Sequence, residues 1–129
     1  MINSNLYDYI NVLDKAADAG VLRNTAISNN IANDDTPGYK RQDVNFEAVL
    51  ARELNRSKYT SLDSKIKEVN LSRLNVSTYT DSPGYSYRLD GNNVDIDTEN
   101  VELAANQIKY QVMIDSMGQE FSRIKTAIG

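Results

Sequence analysis

The stretch Val101–Ile128 reads VELAANQIKYQVMIDSMGQEFSRIKTAI, and it decides the fold of the chain. Alternating steps of four and three residues meet eight positions, seven of them apolar or aromatic: Leu103, Gln107, Tyr110, Ile114, Met117, Phe121, Ile124 and Ile128. This spacing predicts an apolar seam along one side of a helix. At about 1.5 Å per residue the helix is roughly 40 Å long, so the seam needs a partner of comparable length.

A second helical pattern spans Leu6 to Ala32. The same alternation passes through positions that are large at both ends and small or polar in the middle: Leu6, Ile10, Leu13, Ala17, Gly20, Asn24, Ile27 and Ile31. A flanking row of Val12, Ala16, Ala19 and Ala26 widens the stripe with small side chains. Because Gly20 costs up to ~1 kcal/mol of helix propensity, we expect this helix to depend on packing. Asn24 either sets the register or marks where the seam turns toward solvent.

Composition removes several classes of function. The 129 residues, enough for one domain, contain no Cys and no His, so thiolate sites, imidazole metal ligands and the usual near-neutral proton shuttle are excluded. A net charge of −4 argues against general affinity for nucleic acid. No apolar run approaches the length of a membrane span, and the residues after Met1 do not resemble a cleavable secretion signal.

The charges are unevenly distributed. Lys40 to Arg73 contains eight basic and five acidic residues, whereas Asp81 to Glu102 contains six acidic residues and only Arg88 as a base. A solvated surface is the simpler interpretation of this asymmetry, and electrostatic pairing between neighbouring copies is the alternative.

The middle of the chain is mostly polar. The first helix is predicted to end near Asn33, before a tight turn at Thr36–Tyr39 in which Gly38 takes a positive φ. A short helix is predicted at about 43–56, and Ser57–Ser72 has the composition of a flexible excursion. Val76–Thr80 and Tyr85–Leu89 have strand patterns and predict a small hairpin at about 76–89.

Residues 90–99 are rich in oxygen ligands, but they do not fit a calcium loop. Counted from Asp90, the sixth position is Asp95 rather than glycine and the twelfth is Val101 rather than glutamate. Capping explains the acidic residues better. Asp97 is predicted as the N-cap, with Ile96 packing on Val101 as a hydrophobic staple.

These patterns predict a mainly α fold with one helical core domain, formed by residues 1–33 and 97–129 paired as an antiparallel, coiled-coil-like hairpin. Residues 34–96 are predicted to be a connecting region, part helix and part extended or flexible. Two helices bury too little surface to offset the cost of ordering them. We therefore expect the termini to be loose in an isolated copy and ordered by other copies. No nucleophile motif, phosphate loop or dinucleotide fingerprint is present, and no cofactor or metal is expected.

The segment Ser28–Arg41, SNNIANDDTPGYKR, resembles the N-terminal signature of bacterial flagellar rod, hook and hook-associated proteins. In that signature an Asn-rich helix end runs into Thr-Pro-Gly and an aromatic residue. Within the family, the short length and the segment Leu89–Asp95, followed by Asn106, Tyr110 and Gln111, are most similar to proximal rod subunits. The resemblance covers both ends, about half of the chain, and no pattern matches 57–80.

The resemblance implies a structural, non-enzymatic subunit of a hollow tube in the periplasm, exported without a cleaved signal peptide. Its implied partners are other copies, other rod subunits, the basal-body adaptor protein, the inner-membrane ring and the export gate, with no nucleic acid and no small-molecule substrate.

The implied site residues form two groups. The assembly interface comprises apolar residues of both terminal helices: Leu6, Ile10, Leu13, Ile27, Ile31, Leu103, Tyr110, Ile114, Met117, Phe121, Ile124 and Ile128. The motif residues would fix the exit from the first helix and contact neighbours, with a plain helix C-cap as the alternative: Asn29, Asn30, Asn33, Thr36, Pro37, Gly38 and Tyr39.

Three other functions remain open from the sequence. A different rod subunit of the same family is the first, and a free-standing helical adaptor or export chaperone, acting as a discrete soluble dimer, is the second. An enzyme using Asp95 or Asp97 is the third, although two thin helices offer no pocket for it.

Overall fold

The computed structural model describes residues 4–81 and 88–129, with side chains from Tyr7 onward in these ranges. In chain order the elements are α1 (Ser4–Ala32), β1 (Gln42–Val44), α2 (Phe46–Asn55), α3 (Leu62–Lys67), a 3-10 turn (Leu71–Arg73), β2 (Thr78–Thr80) and α4 (Ile96–Ile128). The predicted mainly α fold, with two long helices at the ends of the chain, is confirmed. No helix of the described chain is long and apolar enough to cross a membrane.

Helices α1 and α4 lie antiparallel along most of their length. Near the end of α1, Asn30 Nδ2 donates to Glu99 Oε2 at 3.1 Å, in the first turn of α4. Further back along α1, Asn106 Nδ2 donates to the Gly20 carbonyl at 2.9 Å. A Cβ on Gly20 would lie 3.3 Å from Tyr110 Cδ2. The glycine that weakens α1 by propensity thus leaves room for the side chains of α4 to approach its backbone closely.

The apolar core lies on another side of α1, where the middle of the chain packs. Its buried members are Val12, Ala19, Val44, Phe46, Ile66 and Leu74. Val12 and Ala19, from the row that flanks the predicted seam of α1, are therefore part of this core. The middle segment covers one side of α1 while α4 covers the next.

The prediction that Ser57–Ser72 is a flexible excursion is wrong. This stretch contains α3, whose cap Ser61 accepts a hydrogen bond from Ser64 N. Ile66 is buried, Leu74 just beyond the stretch is fully buried, and Tyr9 Oη donates to Asp63. The apolar residues here are few and not periodic, but they pack on α1, which the composition of the stretch alone did not reveal.

The two short strands join distant parts of the chain. β1 and β2 pair antiparallel, with Gln42 opposite Thr80 and Val44 opposite Thr78. The strand predicted at 76–80 is therefore present and is paired with β1. The proposed second arm, at 85–89, falls mostly in 82–87, outside the described residues.

The start of α4 differs from the prediction. Asp95, rather than Asp97, is the N-cap, and its Oδ1 accepts hydrogen bonds from Asp97 N at 3.1 Å and Thr98 N at 3.4 Å. Ile96 is the first helical residue, so the expected staple from Ile96 to Val101 has the wrong geometry. Asp95 and Asp97 both suit a helix start, and their spacing does not distinguish them.

The predicted turn at Thr36–Tyr39 is present. Tyr39 N donates to the Thr36 carbonyl at 3.2 Å, and Gly38 has a φ of 75°. This positive φ is the reason that glycine suits the third position of the turn.

Candidate assembly interface

The α4 side of the helix pair uses half of the predicted seam. Leu103, Tyr110, Met117 and Ile124 are half-buried, in keeping with a place against α1. Three residues of α4 that lie between these four also reach α1: Asn106, Met113 and Glu120. Asn106 bonds to Gly20, the Met113 methyl lies beside Gly20, and the carboxylate of Glu120 acts on the Tyr9 hydroxyl, helping to raise its pKa.

The other half of the predicted seam is exposed. Ile114, Phe121 and Ile128 retain 40%, 54% and 69% of their accessible surface. At every second position of the predicted seam, the residue that contacts α1 is therefore the one immediately before the seam residue. Because successive residues of a helix turn by about 100°, this offset moves the large apolar side chains of Ile114 and Phe121 to the flank of the pair.

The predicted interface residues of α1 are more enclosed. Ile10 and Ile27 are buried, and Leu13 and Ile31 are half-buried. Leu6 lies outside the described side chains. Within one copy, most of the apolar surface of α1 is thus already covered, and the free apolar surface belongs mainly to α4.

Asn30 is the centre of the motif. Its side chain has no exposed surface, and its four hydrogen bonds all reach other segments. Nδ2 donates to the Gln42 carbonyl at 2.8 Å and to Glu99 at 3.1 Å. Oδ1 accepts from Gln42 N at 2.8 Å and from Tyr39 Oη at 2.9 Å. One amide therefore joins the end of α1, the start of β1 and the first turn of α4.

Arg41 completes this centre by pairing with carboxylates from three segments. Its guanidinium lies 2.6 Å from the fully buried Glu99, 2.5 Å from Asp81 and 3.4 Å from Asp43. Burial alone lowers the pKa of Arg41, but the hydrogen bonds to Glu99 and Asp81 outweigh it and raise that pKa above its ordinary value. Glu99 is thus a buried charge compensated by one arginine and one asparagine.

The second quoted segment, Leu89–Asp95, closes over the turn of the first. Asn92 is fully buried, and its Nδ2 donates to three carbonyls of the turn, at 2.8 Å to Asn33, 3.1 Å to Asp34 and 2.8 Å to Thr36. Its Oδ1 accepts from Val94 N at 2.7 Å. The two segments that carried the resemblance therefore bind each other, and we call residues 30–41 with 90–99 the polar clamp.

Two glycines allow the clamp to close. Gly38 N donates to the Asp90 carbonyl at 2.7 Å, and a Cβ on Gly91 would lie 3.5 Å from Gly38 Cα. Gly91 also has a positive φ, 77°. Asn93 holds the other side, because its Oδ1 accepts from Arg41 N at 2.7 Å and its Nδ2 donates to the Asp81 carbonyl at 2.9 Å.

The remaining motif residues are less enclosed. Asn33 donates to the Asn29 carbonyl at 2.8 Å and accepts from Thr36 Oγ1 at 3.1 Å, which holds the end of α1. Asn29, Thr36 and Pro37 are exposed. The motif thus divides into residues that hold the exit of α1 and residues that are free for other contacts.

Sequence reasoning missed four members of the clamp. Arg41, Asn92 and Asn93 lie in the quoted segments but were given no role, and Glu99 was included among the acidic residues attributed to helix capping. The pair of adjacent asparagines after Gly91 could have indicated the clamp, because buried asparagine side chains commonly form hydrogen bonds with the backbone groups of turns. In the described parts of the chain, no group of three or more acidic side chains is arranged to hold a metal ion.

Comparisons with known proteins find a matching family model and several relatives. The family model described as flagella basal body rod protein matches residues 23–40. The flagellar basal body rod protein FlgB of Bacillus subtilis (strain 168) is 37% identical over 116 residues, covering 90% of this chain and 89% of that protein. FlgB of Borrelia hermsii is 35% identical over 115 residues, covering 83% and 85%. FlgB of Aeromonas hydrophila is 31% identical over 114 residues, covering 82% and 81%.

Proposed function

Since the chain belongs to the flagella basal body rod protein family and is a structural subunit of the flagellar basal-body rod, we propose that it polymerises through its two terminal helices. The observation that carries the proposal is the exposed apolar surface of α4. Ile114, Phe121 and Ile128 are uncovered although they continue the seam that predicts helix packing. Apolar residues in such a row mark a surface that is covered by another molecule.

The proposed interface comprises the apolar residues of both helices already named, in a core domain formed by residues 1–33 and 97–129. The described elements of the connecting region 34–96, namely β1, α3, the 3-10 turn and β2, then support α1 by packing against it. The exposed motif residues Asn29, Thr36 and Pro37 contact neighbouring subunits, and the buried Asn30 and half-buried Asn33 fix the direction in which the chain leaves α1.

We place the subunit in the proximal part of the rod, beside the adaptor protein, the inner-membrane ring and the export gate, with other rod subunits beyond. The similarity of Leu89–Asp95 to proximal rod subunits supports this position, and so do the FlgB relatives. We further propose that the chain reaches the rod through the flagellar export apparatus without a cleaved signal peptide.

Replacing Phe121 with Asp tests the interface. The side chain is half exposed in one copy, so a charge there is tolerated by the monomer but is desolvated between copies. We expect a soluble, exported protein that blocks rod growth and motility. Gln119→Asp introduces the same charge at an exposed position two residues earlier, and we expect normal motility. Normal motility of Phe121→Asp would contradict the proposal.

Light scattering separates a tube component from a free-standing adaptor or chaperone. A tube component is monomeric when dilute and forms open arrays of increasing mass when concentrated. A discrete dimer whose mass does not change with concentration would favour the adaptor or chaperone.

A further inference from the structure

An apolar groove lies between α4 and α2, above the small residues of α1. Its volume is about 340 Å³, and its walls are largely apolar: Ala16, Ala19, Phe46, Ile108, Val112 and Met113. Ile108 and Val112 stand at its edge with 67% and 58% of their surface exposed. A cavity of about 150 Å³ already accommodates benzene, so the groove has room for an aromatic side chain.

Phe121 is an aromatic side chain on another face of the same helix. It is 54% exposed, whereas Phe46, the other phenylalanine of the chain, is buried in the core. Nine residues separate Phe121 from Val112, which is about two and a half turns of an α-helix. Phe121 therefore faces away from Val112 and lies roughly 13 Å further along α4, so it does not enter the groove of its own copy.

We propose that Phe121 of one copy inserts into the groove of a second copy, beside Ile108 and Val112. The inference rests on the proposed polymerisation and names the surfaces that perform it. The chain itself carries both surfaces of the contact, the exposed side chain of Phe121, which we call the knob, and the apolar groove. For this reason a second copy is the proposed occupant of the groove. Large aromatic side chains in apolar pockets are typical anchors of interfaces.

The positions of knob and groove determine the kind of assembly. Because the knob and the groove are different surfaces of the chain, the contact is heterologous: after one contact the first copy retains a free groove and the second copy retains a free knob. Such contacts form open chains or rings rather than closed pairs. One phenylalanine with its surroundings also covers less than the roughly 1,000 Å² expected of a stable interface. A single contact is therefore weak, and it becomes stable only where several neighbours hold the same subunit.

Cysteine cross-linking tests the contact, because the chain has no native cysteine. Ser122→Cys places a thiol beside the knob, and Lys109→Cys places one at the rim of the groove. The two positions are 13 residues apart on α4, or roughly 20 Å, beyond the reach of a short bismaleimide linker within one copy. The purified full-length double variant, treated at concentrations at which light scattering shows association, should give a ladder of dimers, trimers and longer products.

Three controls make the result specific. Each single cysteine variant should give at most background dimer. Ser122→Cys combined with Lys67→Cys, an exposed residue of α3, should give no ladder. Phe121→Ala in the original double variant should reduce the ladder at least tenfold.

A ladder that survives Phe121→Ala, a dimer formed equally well by Ser122→Cys alone, or no ladder at any soluble concentration would each overturn the proposal. If the ladder is absent but Phe121→Asp still blocks motility, the rod function stands and Phe121 meets another partner or surface. If Phe121→Asp is fully motile, the polymerisation proposal itself fails.

Discussion

Truncation of Asn30 to Ala should destabilise the subunit more than its size suggests. The change removes four hydrogen bonds and leaves the Gln42 N–H, the Gln42 carbonyl and the Tyr39 hydroxyl without that partner. Glu99 keeps its bond to Arg41. An unsatisfied buried polar group costs about 1–3 kcal/mol, and these three are partly buried, so the expected loss in the free energy of unfolding is about 3–5 kcal/mol.

The neighbouring residue provides a matched control. Asn29 has the same side chain, but it is exposed, so Asn29→Ala should change the stability by less than about 0.5 kcal/mol. For a chain of this size the loss predicted for Asn30→Ala lowers the melting temperature by roughly 10–20 °C.

Circular dichroism at 222 nm during thermal and urea unfolding measures both variants, and hydrogen exchange of the Gln42 amide measures the clamp directly. Exchange at Gln42 should accelerate in Asn30→Ala and remain unchanged in Asn29→Ala. If the two variants unfold within 1 kcal/mol of each other, the Asn30 side chain does not hold the fold, and the motif belongs to contacts between copies.

Three further changes have expected outcomes. Arg41→Met leaves Glu99 buried without its cation and should lower the free energy of unfolding in urea by about 3–5 kcal/mol. The control Arg52→Met, at an exposed position of α2, should lower it by less than about 0.5 kcal/mol. Equal losses would contradict the role of Arg41. Gly118→Ala should raise the stability of the monomer by up to about 1 kcal/mol, because a Cβ there meets nothing within 4 Å in the described chain, and a lower melting temperature would show an unexpected contact. The hydrogen bond to Asp63 raises the pKa of Tyr9 from 10.0 to about 12, so the stability that this group contributes is complete below pH 10 and is lost as the pH rises toward 12. Tyr9→Phe should therefore reduce the loss of folding stability between pH 10 and 12. An unchanged dependence of stability on pH would contradict this role of Tyr9.

The long helices and their pairing could be predicted because apolar residues recur at alternating steps of four and three over about eight turns at each end of the chain. The turn at Gly38 could be predicted because only glycine readily takes its φ. The clamp could not be predicted, because Glu99 is 69 residues from Asn30 and 58 residues from Arg41 and nothing in its local context shows that it meets them. The fold of residues 57–74 could not be predicted either, since its few apolar residues acquire a partner only when α1 is in place.

The offset between the predicted and the observed seam of α4 has a physical consequence. In a helix that packs only within its own chain, apolar residues belong on the side that faces the partner and polar residues on the outside. Here Asn106 and Glu120 occupy the α1 side, while Ile108, Phe121 and Ile128 remain on free sides. Such an arrangement is unfavourable for a monomer, because it exposes surface that burial would stabilise by about 25 cal/mol per Å². If the proposed polymerisation covers these free sides, the assembled rod recovers that free energy, and neighbouring copies stabilise the subunit in addition to its own hairpin.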